Sequence, residues 1–117
     1  MYQIDFFKNL TDLVEYKAGD RIFSKGDESN ATLYAVREGT VDIVNNGVVI
    51  NSIGPKEFFG EMALIDSSLR SADAIARTDC KIAHVDRSKF LFLVHETPTF
   101  ALQVMHIMAE RIRKMMV

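Results

Sequence analysis

The segment Gly60–Ala72, GEMALIDSSLRSA, decides how this sequence is interpreted because it combines residues with opposite requirements. Glu61 and Arg70 are charged and are seldom fully buried without a partner, whereas Met62 and Leu64 prefer the protein interior. A core element would not be expected to contain the charged residues, and a surface loop would not be expected to contain the apolar ones. We therefore interpret the segment as a binding segment anchored to an apolar core.

On both sides of this segment, from about residue 14 to residue 85, the sequence predicts short antiparallel strands. Breaks at Glu38-Gly39, Asn46-Gly47 and Gly54-Pro55 separate the apolar runs. Asn-Gly between two apolar runs is the strongest short signal for a hairpin. Many short strands at this spacing predict an antiparallel jelly-roll β-barrel over about residues 13–85.

The pattern changes at Asp86, which is a capping residue for the helical sequence that follows. Thr97-Pro98 ends this helix, and a second helix continues to about residue 116. The predicted fold class is mainly β with flanking helices: a jelly-roll barrel with an inserted short helix, followed by two C-terminal helices. We expect one domain, residues 1–117.

The last helix carries one apolar stripe with spacings of three and four residues. Its members are Leu102, Met105, Met108 or Ala109, Ile112, and Met115 or Met116. The simplest interpretation is that the stripe packs in the core. The alternative is a seam between two subunits of a homodimer, because an apolar stripe that projects beyond the barrel needs cover.

Bulk composition excludes several classes of protein. The 117 residues include 14 Lys and Arg against 16 Asp and Glu, and a net charge of −2 gives no general attraction to nucleic acid or anionic membranes. No apolar run approaches the roughly 20 residues of a membrane span, and the N-terminal sequence lacks the features of a signal peptide. Cys80 is the single cysteine and cannot form an internal disulfide. We expect a cytoplasmic protein.

The sequence offers no catalytic or metal-binding pattern. His84, His95 and His106 lack the spacing of a metal site. No nucleophile elbow and no Walker loop occurs. We therefore expect neither an enzyme nor a bound metal or cofactor.

The residue types in the binding segment suit a cyclic phosphodiester attached to a ribose. Arg70 presents a planar fork of donors to phosphate oxygens, and Ser71 adds a hydroxyl donor. Gly60 allows a ligand to approach the backbone closely, and a helix that begins there offers amide donors to an anion. Glu61 would repel a phosphate but would accept a hydrogen bond from a ribose 2′-hydroxyl.

At these residues the sequence resembles the cyclic nucleotide-binding domain family, which includes catabolite activator proteins and regulatory subunits of cyclic-AMP-dependent kinase. The phosphate-binding cassette of that family reads F-G-E-x-A-L and then P-R-[AST]-A. Here the corresponding runs are Phe59–Leu64, FGEMAL, and Leu69–Ala72, LRSA. The resemblance extends over roughly residues 14–114.

The resemblance implies a role for each residue of the cassette. The phosphate would be held by Arg70 and Ser71 and by the segment Gly60–Ala63, which includes Met62, and Glu61 would bind the ribose. Aliphatic side chains of barrel strands would contact the base, here Val41, Ile43 or Ile53. Residues of the last helix (Met105, Met108, Ile112 and Met115) would supply a lid or a dimer contact.

Three features depart from the family pattern. Leu69 replaces the usual proline before the arginine, and Asp73 stands where a small or apolar residue is more common. An aspartate facing the pocket would weaken anion binding. The third departure is the helical segment before the barrel, which is shortened to about residues 5–13. Unlike the catabolite activator proteins, the protein is expected to have no helix-turn-helix.

We therefore expect a regulatory module that binds cyclic AMP, with cyclic GMP left open because Ser71 could also donate to a guanine. Ligand binding would reposition the C-terminal helix for an effector protein that the sequence does not identify. The alternative is a relative that has lost its ligand and serves as a dimerisation or docking domain. We expect no direct contact with nucleic acid or membrane.

Overall fold

The computed structural model describes residue 10, residues 12–65 and residues 69–115, with Met115 described by its backbone alone. It contains eight strands and three helices within these residues. The strands are β1 (Leu13–Tyr16), β2 (Arg21–Phe23), β3 (Thr32–Glu38), β4 (Val41–Asn45), β5 (Val48–Ile53), β6 (Phe58–Phe59), β7 (Asp73–Ala76) and β8 (Cys80–Asp86). The helices are α1 (Met62–Ile65), α2 (Arg87–Glu96) and α3 (Thr99–Met115).

The strands form two antiparallel four-stranded sheets, ordered β1-β8-β3-β6 and β2-β7-β4-β5. A shared core lies between their inner faces, with Val36 and Ile82 from the first sheet and Val41, Ile53 and Ala74 from the second. Among the described residues the ladders within each sheet do not join the two sheets into one closed barrel. The mainly-β jelly-roll prediction with C-terminal helices is confirmed.

The β4–β5 hairpin turns at Asn46-Gly47, as predicted. Both residues have positive φ, 52° and 78°, which the tight turn requires and which asparagine and glycine tolerate best. The turn sets the register that pairs Ile43 with Asn51 and Val41 with Ile53. Alternation along the strand then directs Asn51 and Ile53 to the same face of the sheet.

Two helices cover the outer face of the first sheet. The Asp86 carboxylate accepts the backbone N–H of Lys89 at 2.8 Å and caps α2, as the sequence predicts. Phe100 and Val104 of α3 pack into a second core with Leu33 and other buried residues of the first sheet. Strand β3 therefore contributes to both cores, one on each face.

The apolar stripe predicted for α3 is only partly in the core. Met108 packs against the second core, but Leu102 is 43% exposed and Met105 and Ile112 are each 55% exposed, so the core interpretation is wrong for these three residues. The helix is rotated so that Phe100, Val104 and Ile107 face the sheet instead. The Met115 side chain lies outside the described residues, as does most of the N-terminal segment at about residues 5–13. In the described part of the chain, no helix has both the length and the apolar character needed to cross a membrane.

Candidate functional site

A cavity of about 780 Å³ opens between β4, β5, the segment around α1 and the end of α3. Of the residues predicted to bind a ligand, eight line this cavity: Ile43, Ile53, Gly60, Glu61, Met62, Ala63, Arg70 and Ser71. Val41 is fully buried in the core between the sheets and does not line the cavity. The structure therefore brings together the whole predicted cassette and two of the three predicted base contacts.

Arg70 is buried, with 8% of its surface exposed, and backbone carbonyls hold its guanidinium. Its Nη2 donates to Thr32 O at 2.7 Å and Ser29 O at 3.0 Å, and its Nη1 donates to Gly60 O at 3.2 Å. Among the described residues no carboxylate pairs with this cation. A guanidinium has five N–H donors, so the described residues leave two of them for another acceptor.

Two aromatic rings also contact the Arg70 guanidinium. Its Cζ lies 4.4 Å from the ring centre of Phe23 and 5.4 Å from that of Tyr34. Phe59 completes the cluster, with its ring centre 5.9 Å from Phe23 and 5.1 Å from Tyr34. Rings attract a cation without neutralising it. The described residues therefore leave this positive charge at the cavity wall unneutralised, which favours an anion there.

Gly60 is required by the position of Arg70. Its φ of +77° is a conformation that other residues rarely adopt. A Cβ at this position would lie 2.8 Å from the Arg70 Nη1 and 3.4 Å from the Tyr34 ring. The glycine therefore lets its own carbonyl and the guanidinium meet, and any larger residue would displace the cation.

The backbone amides of the short helix α1 are only partly available. The amides of Gly60–Ala63 were predicted to face the ligand. In the structure the Ala63 N–H donates to Gly60 O at 3.3 Å and the Leu64 N–H donates to Glu61 O at 3.0 Å. These two donors are already used inside the first turn, so the Ala63 amide is a weaker candidate than predicted.

Arg111 is a residue of the site that the sequence interpretation missed. Its guanidinium forms an ion pair with Glu61 Oε1, donates to Phe58 O and lies 5.0 Å from the Phe58 ring centre. Only 23% of the Arg111 side chain and 17% of the Glu61 side chain are exposed. The contact joins the end of α3 directly to the residue predicted to bind ribose.

The signal for Arg111 was present in the sequence. It follows Val104 by seven residues and Ile107 by four, and therefore continues the stripe of α3 that packs against the sheet. The basic end of this helix was interpreted as solvated, because the stripe that contains Met105 and Ile112 was expected to face the core. Lys114 also lines the cavity.

Although Leu69 replaces the proline that is usual before the arginine, hydrogen bonds still fix the backbone of Arg70. The Arg70 N–H donates to Asp27 O and the Gly26 N–H donates to Arg70 O, each at 2.8 Å. An isolated bridge pairs Leu69 with Glu28. These bonds supply the constraint that a proline at residue 69 would otherwise give.

Asp73 does not line the cavity. Its carboxylate accepts the Lys25 N–H at 2.7 Å and pairs with Arg21 at 3.1 Å. The hydrogen bond from Lys25, followed by the nearby Arg21 guanidinium, lowers the pKa of Asp73. The aspartate is therefore charged and occupied elsewhere, and it does not repel an anion from the site.

His84 belongs to an aromatic cluster. Its Nε2 lies 2.8 Å from the Tyr16 hydroxyl, and its ring packs edge-on against Tyr34 with ring centres 4.8 Å apart. Burial lowers the pKa of His84 and raises that of Tyr16. Across the residues that the structure describes, no three His, Cys, Asp or Glu side chains come together as metal ligands would.

One row of side chains crosses the second sheet beneath the cavity. Pairing across the strands places Phe23 beside Ala74, Ala74 beside Ile43, and Ile43 beside Asn51. The row thus begins at the ring that supports Arg70 and ends at Asn51 on the edge strand β5. Asn51 lines the cavity and was not among the predicted site residues.

The chain matches one protein-family model and is similar to several known proteins. The family described as the cyclic nucleotide-binding domain matches residues 13–97. A cAMP-dependent protein kinase regulatory subunit from Aspergillus niger is 37% identical over 81 residues, which cover 68% of this chain and 20% of that protein. A lysophospholipase nte1 from Aspergillus terreus is 33% identical over 118 residues, covering 97% of this chain and 8% of the enzyme.

Solved structures show the same fold. The crystal structure of the Thermus thermophilus catabolite activator protein matches with a TM-score of 0.78 and 31% identity, covering 94% of this chain and 54% of that one. The chain thus spans about a fifth of the kinase subunit and about half of the activator. The likeness covers a domain that occurs in both regulatory proteins and a much longer enzyme.

Proposed function

The chain belongs to the cyclic nucleotide-binding domain family, and on this basis we propose that it binds a cyclic nucleotide in the 780 Å³ cavity as a regulatory module. The observation that carries the proposal is the buried Arg70 guanidinium, which is held by carbonyls and rings and paired with no carboxylate of the described residues. A buried cation left without an opposite charge is costly. A ligand with a single negative charge supplies that charge.

Each part of the nucleotide has a partner of suitable chemistry. Arg70 offers two further N–H donors to the phosphate, and the Ser71 hydroxyl lies beside it on the cavity wall. Glu61 accepts the ribose 2′-hydroxyl. Ile43 and Ile53 provide an apolar surface for the base. The proposal assigns this domain a binding role and no catalytic step.

Glu61 couples the site to α3 because its carboxylate already binds Arg111. A ribose hydroxyl that donates to Glu61 shares this carboxylate with Arg111, and ligand binding therefore changes the contact that holds the end of the helix. Coupling between two sites is typically worth about 1–3 kcal/mol. A change in amide exchange along α3 when nucleotide is added would be the expected readout.

The direct test is isothermal titration with cyclic AMP and cyclic GMP, using the wild type, Arg70→Lys and Arg77→Lys. Arg70→Lys keeps the charge but loses the planar fork, and loss of one charge-assisted bond of about 1.5–3 kcal/mol lowers affinity by roughly 10- to 150-fold. Arg77 is the matched control because its guanidinium pairs with Asp42 on the surface. No binding of either nucleotide at millimolar concentration would refute the proposal.

We propose in addition that two copies of the chain pair through α3. Its exposed apolar face contains Leu102, Met105 and Ile112, which are 43%, 55% and 55% exposed. Sedimentation of Met105→Glu should show fewer dimers than the wild type. Leu91→Glu on α2, where the residue is 59% exposed, is the matched control and should sediment as the wild type does. Wild-type protein that is monomeric at high micromolar concentration would contradict the pairing.

A further inference from the structure

Asn51 lines the cavity from the edge strand of the second sheet. It ends the row Phe23–Ala74–Ile43–Asn51, which begins beside the Arg70 guanidinium. Neighbouring strands lie about 4.8 Å apart, so about 10 Å separate Ala74 from Asn51, and about 14 Å separate Phe23 from Asn51. This length accommodates a phosphate, a ribose and a base in succession.

The orientation of the Asn51 amide is set by the strand itself. Its Oδ1 accepts the backbone N–H of Ser52 at 2.9 Å, which identifies the oxygen and leaves the NH₂ group as the end of the side chain not bound to the strand. An amide NH₂ provides two donors and no acceptor. Asn51 therefore presents donors to a ligand in the cavity.

Several other polar residues of the cavity lining add donors or already form hydrogen bonds. Lys114 also lines the cavity, and an ammonium group has only donors. The Ser52 hydroxyl interacts with Asp42 and Arg77, and Glu57 Oε1 accepts the Gly54 N–H at 2.7 Å. Hydrogen bonding to a base here is therefore mainly hydrogen-bond donation by the protein.

The two purines differ in the edge that such a site would contact. Guanine has two neighbouring acceptors, O6 and N7, whereas adenine places an N6 amino donor beside N7. Two donors match the guanine edge and oppose the adenine amino group. We propose that Asn51 reads the base and that the domain prefers cyclic GMP to cyclic AMP, an inference that rests on the proposed function.

The test is the ratio of the two dissociation constants, measured by isothermal titration for the wild type, Asn51→Ala and Asn51→Asp. A matched pair of hydrogen bonds to a base edge gives the wild type a preference for cyclic GMP of about 10-fold. Asn51→Ala should reduce this preference to about 2-fold or less. Asn51→Asp replaces donors with acceptors and should reverse the preference towards cyclic AMP.

The matched control is Asn45→Ala, because Asn45 lies on β4 outside the cavity and accepts from Lys25 Nζ at 3.2 Å. Its nucleotide preference should equal that of the wild type. Tighter wild-type binding of cyclic AMP would overturn the inference while leaving the proposed function intact. An Asn51→Ala variant that weakens both ligands equally would also overturn it, since that result assigns Asn51 a structural role. Binding of neither nucleotide would instead refute the proposed function itself.

Discussion

Removal of the Arg111 side chain should release the end of α3 from the cavity. Arg111→Ala eliminates the ion pair with Glu61, the hydrogen bond to Phe58 O and the contact with the Phe58 ring. The hydrogen-bonded ion pair with Glu61 contributes about 1.5–3 kcal/mol. The hydrogen bond to the neutral Phe58 carbonyl contributes about 1 kcal/mol, and the contact with the Phe58 ring about 0.5–1 kcal/mol. These terms overlap, and the groups keep some contact with water. We therefore expect a loss of about 2–3 kcal/mol in the free energy of unfolding.

The matched control for this change lies two residues further along the same helix. Arg113 pairs with Glu110, and both side chains are more than half exposed, at 67% and 51%. An exposed ion pair on a helix is worth about 0.3–0.5 kcal/mol. Urea unfolding of Arg111→Ala and Arg113→Ala should therefore separate the two variants clearly, and an equal loss of stability would contradict the role given to Arg111.

Amide exchange locates the effect within the protein. Loss of a contact worth about 2 kcal/mol at one end of a helix should speed local opening of the last turns by roughly 30-fold and leave the central strands protected. Addition of cyclic nucleotide to the wild type should change exchange in the same turns. If nucleotide binds but exchange in α3 does not respond, the coupling through Glu61 is wrong while the binding site remains.

Three further predictions follow from single residues. Gly60→Ala should cost about 1–2 kcal/mol from its positive φ and weaken nucleotide binding at least about 10-fold by displacing Arg70. Gly19→Ala is the matched control: its φ is +93°, open space surrounds it and it lies outside the cavity lining, so titrated affinity should be unchanged. Asp73→Asn should also leave nucleotide affinity unchanged. Because the pKa of Asp73 is lowered in the folded protein, the stability that its carboxylate contributes is lost as pH falls below the ordinary 3.8. The free energy of unfolding in urea should therefore depend less on pH in this range for the variant than for the wild type. Burial lowers the pKa of His84, so wild-type stability should fall as pH drops below 6.5, and thermal melts of His84→Gln should lack this slope.

The sequence predicted the elements whose signals are local. Asn46-Gly47 has the conformation that its turn demands, and Asp86 caps the helix that follows it. The cassette residues also meet at one cavity, because their order along the chain already places Gly60 and Arg70 at the two ends of one short insertion. These features depend on a few neighbouring residues, which a single sequence shows directly.

The features that sequence reasoning missed depend on how distant elements meet. Choosing between the two apolar stripes of α3 requires the rotation of that helix against the sheet, and Arg111 follows from that choice. Asn51 reaches the cavity because the bulge and register of β5 against β4 direct it inward. Neither the rotation nor the register can be read from residue types alone.

The replacement of the usual proline by Leu69 shows why the cassette tolerates variation next to its essential arginine. The Arg70 guanidinium is positioned by three carbonyl groups and two rings that come from other parts of the chain, and its backbone is fixed by residues 26–27. None of these contacts requires a particular side chain at residue 69. Several independent contacts, from strands and from loops, therefore fix the position of the cation. The contacts at Asn51 and Arg111 each depend on one side chain, so we expect variation in ligand choice and in response to arise at these two positions, with Arg70 unchanged.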